Sequence, residues 1–165
     1  MDVARGLKRI NSTTLAEYIL YKYGPMSHLK LQKLIYFVEG YHLAYFRGES
    51  LIDDEFEAWA HGPVSRPLYN ELKRYSILYD DLRYVEKNDQ ISPIDILNST
   101  LCSSQIELID EVIELYIGES GIALEGITHQ QSPWIIARQG LPPYAKCNNI
   151  IDKHLMQEYF SNLIS

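Results

Sequence analysis

Apolar positions recur along most of this chain at helical spacing, and two short stretches alternate instead. Thr14-Leu-Ala-Glu17 has the spacing of a capping box and opens a first helix, which Gly24-Pro25 should close because glycine takes the left-handed C-terminal position and proline cannot continue the ladder. Ser27 then caps a long helix in which Leu31, Leu34, Ile35 and Val38 form one stripe. Its later half, with Phe37, Tyr41, Leu43, Ala44, Tyr45 and Phe46, is apolar nearly all round, so this helix belongs at the centre of the molecule. After a turn at Gly48, Phe56-Glu-Ala-Trp-Ala60 alternates large and small side chains as a short strand does, and Gly62-Pro63 should end it. Ser65 caps the next helix with Pro67 in its first turn; Leu68 and Leu72 face the core there, with Tyr69 and Tyr75 alongside.

Between Ser76 and Ser99 the signals mix, and residues 82–86 read as a second short strand. Ser104-Gln-Ile-Glu107 is another capping box, followed by a helix whose stripe is Ile109, Val112, Ile113 and Tyr116 and whose other face carries Glu107, Asp110, Glu111 and Glu114. Residues 121–129 continue as helix or helical turn. Ser132-Pro133 resembles a cap with proline at the first position of a brief helix to Arg138, and Asp152 caps a last helix with Leu155, Tyr159 and Leu163 on one side. The expected fold is mainly α: one compact helical domain over residues 1–165, its core at about 12–162, with a small β element near 56–60 and 82–86.

Charge narrows the function classes. The formal net charge is -7 with no run of five or six Lys/Arg, and the flank of Arg5, Lys8 and Arg9 is too sparse for a nucleic-acid arm, so phosphate neutralisation is not the chain's business. An acidic surface suits a basic protein partner, and Glu107, Asp110, Glu111 and Glu114 are the candidate contacts. Thirteen tyrosines suit half-buried and interface positions. The longest apolar run, Leu34 to Val38, is far short of a membrane span, and MDVARGLKRINSTT leads into no secretory signal, so cytoplasmic residence is expected. Cys102 and Cys147 have no metal-ligand spacing, and no catalytic or phosphate-binding motif of the common classes is present, so neither metal nor cofactor is expected. One acid–base arrangement remains open: His61 and His129 flank Pro and Trp, and with Glu57 or Glu125 they would make a histidine-dependent site if the fold joined them.

Three segments carry a resemblance beyond composition: Lys30 to Ala44, Phe56 to Val64 with Leu68-Tyr69, and Ile127 to Trp134. In that order they resemble the signature blocks of the SocA-like antitoxin, or Panacea domain, family, which includes phage-associated proteins of the GepA type. The resemblance implies a mainly α domain without catalytic activity that neutralises a cognate protein toxin by direct binding, in at least one branch as an adaptor presenting the toxin to an ATP-dependent protease. The hallmark positions fall on Lys33, Leu34, Tyr36, Gly40, His42, Glu57, Trp59, Gly62, Pro63, Tyr69, Thr128, His129 and Trp134, read as scaffold: Gly62 and Pro63 set a corner, Gly40 permits close helix approach, and the tryptophans fill the core. The competing readings are the histidine-dependent enzyme and a phage-encoded regulator of a host protein. Oligomeric state has no signature in the sequence.

Overall fold

The computed structural model describes residues 7–165; Arg5 and the first six residues of the leader segment lie outside them. Helix accounts for 53% of the structure in eight helices, with two small two-stranded sheets, so the fold is mainly α with a small β element. In chain order the elements are α1 (Ser12–Tyr23), β1 (Met26–Ser27), α2 (His28–Tyr45), β2 (Phe56–Trp59), β3 (Gly62–Ser65), α3 (Arg66–Leu72), β4 (Asp81–Leu82), α4 (Pro93–Thr100), α5 (Ser103–Tyr116), α6 (Gly121–Thr128), α7 (Ser132–Ala137) and α8 (Lys153–Ile164).

Helix α2 is the axis of the molecule. Every residue from Leu31 to Leu43 is buried, because α8, α5, α6, α1 and β3 enclose it. A helix with no solvent face must hold its polar side chains by internal bonds. Glu39 does so through the Lys153 ammonium at 2.7 Å and the Leu51 N–H at 2.7 Å, which fixes the chain after the Gly48 turn. His42 donates from Nδ1 to the Glu49 carbonyl and accepts from the Gln105 amide at Nε2; burial pushes its pKa down to about 4, so the ring is neutral. At Gly40 a Cβ would run into the Phe160 ring, so glycine here sets how close α8 lies to α2.

The termini follow local chemistry in most places. The Ser27, Ser65 and Asp152 side chains accept from the N–H groups of Lys30, Leu68 and His154. Gly24, at φ +93°, closes α1 with its N–H bonded to the Leu20 carbonyl. Several expectations are corrected. Helix α1 opens at Ser12 rather than at a box on Thr14, since the Leu15 N–H already bonds to the Asn11 carbonyl. In α5 the residue reaching back is Gln105, whose Oε1 accepts the Cys102 N–H, not Glu107. Helix α7 begins at Ser132 itself, with Gln131 at the cap position and no side-chain capping bond.

Tyr75 lies past the end of α3 and is exposed, because that helix stops at Leu72. On α8 the buried residues are Met156 and Phe160, whereas Leu163 is exposed: Gly40 draws the Phe160 face inward. The strand expected over 82–86 is instead Asp81–Leu82, sharing only Leu82 with that range and paired antiparallel with β1. Gly62-Pro63 does not end the strand; it begins the returning strand of a hairpin, β3, in register Phe56↔Ser65 and Trp59↔Gly62.

Lys153→Met should strand the buried Glu39 carboxylate without its counter-ion. A loss of about 3–5 kcal/mol in urea unfolding is expected. A loss of about 1 kcal/mol or less, the level of an exposed pair, would show that Glu39 does not depend on Lys153.

Candidate functional site

The hairpin β2–β3 gathers most of the hallmark residues. Its turn is Ala60-His61, and Gly62 at φ +93° follows. That conformation favours glycine, and space demands it too: a Cβ would meet Thr128 Oγ1 at 2.6 Å and Lys33 Cε at 2.7 Å. Pro63 sits opposite Ala58, whose N–H bonds to Asn149 on the other side; the pair is a non-hydrogen-bonded one, and the missing proline N–H leaves no gap in the ladder.

Side chains on or just after three helices bond the hairpin's carbonyls. Lys33 on α2 donates to Pro63 O at 2.9 Å, His129 after α6 to Ala60 O at 2.7 Å, and Trp134 and Arg138, at the start and end of α7, to Trp59 O and Ala58 O at 2.8 Å each. Gln32 closes the set by accepting from Ser65 N–H and donating to Ser65 O. The hairpin is therefore bonded into the helical body at both edges.

The two imidazoles do converge, on Glu125. His61 Nδ1 lies 3.7 Å and His129 Nε2 3.8 Å from Glu125 Oε1. They are not equivalent. A carbonyl can only accept, so His129 carries its proton on Nε2 toward Ala60, and its ring stacks on Trp134 at 4.3 Å. That nitrogen is committed to the hairpin and cannot serve as a base there. His61 is half-exposed at the turn. Lys33 lies fully buried; burial pushes its ammonium down to about 7, with the Glu125 carboxylate opposing.

Glu57 belongs to the outer face. Its carboxylate accepts from Trp59 Nε1 and from Arg66 Nε and Nη2, and the guanidinium lies 4.9 Å over the Trp59 ring. Trp59 in turn meets Tyr69 edge-on at 4.9 Å, and Tyr69 stacks on His28. Trp134 is buried but Trp59 is only half-buried, because one side of it opens onto a cleft of about 750 Å³. One wall of that cleft is Trp59, His61, Arg66 and Tyr69; the facing wall carries Tyr144 and Lys146. The facing wall hangs on Arg138, whose Nη2 donates to the Pro142 and Ala145 carbonyls at 2.6 Å each while Nη1 holds β2.

The remaining sequence candidates lie elsewhere. Tyr36 and Gly40 are in the core under Phe160, and His42 is at the far end of α2. On α5, Glu107, Glu111 and Glu114 are exposed, the first two beside a small hollow of about 240 Å³ with Tyr45, Phe46 and Leu108. Asp110 is already bonded to Tyr18, Tyr23 and Lys22, so it is part of the α1–α5 contact and not free for a partner. Among the described residues no group of three or more His, Cys, Asp or Glu is placed to hold a metal ion, and no helix is long and apolar enough to cross a membrane.

A family model described as antitoxin SocA-like, Panacea domain, matches residues 31–135, from the first turn of α2 into α7. The chain belongs to that family. Antitoxin SocA of Caulobacter vibrioides (strain NA1000 / CB15N) is 32% identical over 118 residues, covering 70% of this chain and 62% of that protein, so the chain spans less than two thirds of this relative's length. No solved structure matches the chain. The Panacea segment contains the hairpin and four of its anchors, Gln32, Lys33, His129 and Trp134, and stops short of Arg138 and the wall at 142–148. Sequence reading missed Arg138 and Gln32. A lone arginine before Gly140-Leu-Pro-Pro looks like a solvated helix end, and nothing local marks it as buried.

Burial holds Lys33 near 7, whereas a lysine in the unfolded chain titrates near ~10.4, so between those values the unfolded state binds more protons. Its contribution to stability therefore rises with pH from about 7 to about 10 and is flat above. Lys33→Met should remove that rise when urea midpoints are compared across the window. An unchanged slope in the variant would assign the proton to another group.

Proposed function

We propose that this chain is the antitoxin of a toxin–antitoxin pair and neutralises a cognate protein toxin in the cytoplasm by direct binding. What supports the reading is membership of the SocA-like family together with a curated relative named as an antitoxin. The geometry agrees with a binding role: of the two candidate imidazoles, His129 has its Nε2 spent on a hairpin carbonyl, as Trp134 and Lys33 have their donors. Surface charge of -7 and the exposed Glu107, Glu111 and Glu114 on α5 suit the long-range attraction of a basic partner. Such rim charges act mainly on the association rate, while a desolvated aromatic anchor acts on the dissociation rate.

Co-expression with the product of the adjacent gene should restore growth that the partner alone arrests, and the two should co-purify. A harmless neighbour that never binds would remove the antitoxin reading. Reversing Glu107, Glu111 and Glu114 to lysine should slow association about tenfold or more at low salt, an effect that shrinks as salt rises. An unchanged rate would take α5 off the interface. The fate of the toxin separates two mechanisms: a neutralised toxin that stays intact is masked, whereas one that disappears only when this chain and an ATP-dependent protease are both present is delivered.

A further inference from the structure

The cleft beside Trp59 differs from the rest of this acidic molecule in the sign of its free charge. Glu57 takes Nε and Nη2 of Arg66, and no described residue takes Nη1. Lys146, on the facing wall, has no acidic or hydrogen-bonding partner among the described residues, and Tyr144 stands 85% exposed with its hydroxyl equally free. The carboxylate of Glu57 is largely covered, its side chain 12% exposed, and is spent on Arg66, so the cleft offers the unpaired Lys146 ammonium, the remaining Nη1 of Arg66 and ring faces, with no acidic residue in its lining. A tyrosine held almost wholly in water beside a half-buried tryptophan is the surface composition that interfaces use, with large rigid contact area at low entropic cost.

We propose that this cleft is the anchor site for an acidic, aromatic-bearing segment of the protein partner, with a carboxylate placed between Arg66 and Lys146 and a ring laid against Tyr144 and Tyr69. The inference rests on the antitoxin reading for the identity of that partner, though not for the existence of the site. Shape favours a protein side chain over a free small molecule: the cleft is open to solvent along one side, whereas small-molecule sites enclose most of their ligand. Charge favours an acidic segment, since a basic one would face the unpaired Lys146 ammonium while Glu57, the nearest carboxylate, is already spent on Arg66. The hairpin wall is pre-organised by its carbonyl bonds, so docking there orders little backbone. A basic toxin surface bearing an acidic aromatic tip would complement both the overall charge of this chain and its cationic cleft.

The test has two arms. In the first, the isotopically labelled full chain is titrated with the blocked peptide Asp-Trp-Asp, with Asn-Trp-Asn, Lys-Trp-Lys and adenosine monophosphate as comparators. The acidic peptide should shift the amide resonances of residues 59–61 and 144–148 and bind about tenfold tighter than the neutral one. Lys146→Glu and Tyr144→Ala, both at exposed positions without internal bonds, should fold normally and lose that preference. Equal binding of the neutral or basic peptide, shifts confined to α5, or tighter binding of the nucleotide would overturn the proposal.

In the second arm, Lys146→Glu should speed dissociation of the complex with the adjacent gene's product about tenfold, while the α5 reversal changes association instead. An unchanged dissociation rate would remove the cleft as the toxin anchor. Acidic-peptide binding without any complex would leave the site standing and remove the antitoxin reading.

Discussion

Helix α2 has no solvent face between Leu31 and Leu43, yet it carries Gln32, Lys33, Glu39 and His42 within that span and His28 just before it. Each of these would cost several kcal/mol if buried without a partner. Each instead reaches out of the helix to backbone, of strand β3 or of a connecting segment: Gln32 to Ser65 and Lys33 to Pro63 O in β3, His28 to Ser76 O, Glu39 to Leu51 N–H and His42 to Glu49 O in the connections. The central helix thus acts as an internal template for the irregular parts of the chain. Glu39 and Lys33 show two ways of tolerating a buried charge. The carboxylate has a counter-ion at 2.7 Å, whereas the ammonium has a neutral carbonyl and a more distant Glu125, and the lysine's affinity for its proton falls accordingly.

The same logic explains why the hairpin looks catalytic in sequence. A two-stranded ribbon lying against helices exposes carbonyls on both edges, and those buried against the body need donors. Lysine, histidine, tryptophan and arginine are strong donors long enough to cross from a helix to a strand, and all four are used. Two of them also titrate in free solution, which is what makes such a cluster resemble a site for acid–base chemistry. The edge of β2 adds backbone bonds to the Arg138 contact: Ala58 N–H to Asn149 O and Ile151 N–H to Phe56 O.

Local rules made much of the fold legible. Caps at Ser27, Ser65 and Asp152, the Gly24 stop and the apolar run of α2 are decided within a few residues of sequence. What escaped depends on partners far along the chain. Strand β1 exists only because Leu82 lies beside Met26, and β3 was hidden because Gly-Pro reads as a stop unless the proline falls on a non-bonded pair. Helix α4 was lost in mixed signals although Ser92-Pro93 is a cap with proline in the first turn. The buried face of α8 was misread because Phe160 faces inward only where Gly40 makes room. Of the candidate site, the hallmark residues were visible one by one. Their convergence was not, since Lys33, His129 and Arg138 lie 30, 69 and 80 residues along the chain from the carbonyls they bond. Asp110 reads as surface charge until Tyr18, Tyr23 and Lys22 are seen to surround it.

The two walls of the cleft are built to different standards, and that difference bears on recognition. The hairpin wall is bonded to α2 at Pro63 O and to His129, Trp134 and Arg138 at the three carbonyls from Ala58 to Ala60, so substitutions there act on the whole fold. The facing wall touches the body chiefly through Arg138, which grips the main chain at Pro142 and Ala145 and leaves the side chains of Tyr144 and Lys146 unengaged. A loop held by its backbone can change its side chains at little cost in stability, which is the arrangement that places variable contacts on a rigid frame. Partner preference can then be altered at positions 144 and 146 without disturbing the hairpin, because Arg138 bonds to carbonyls that any residue supplies.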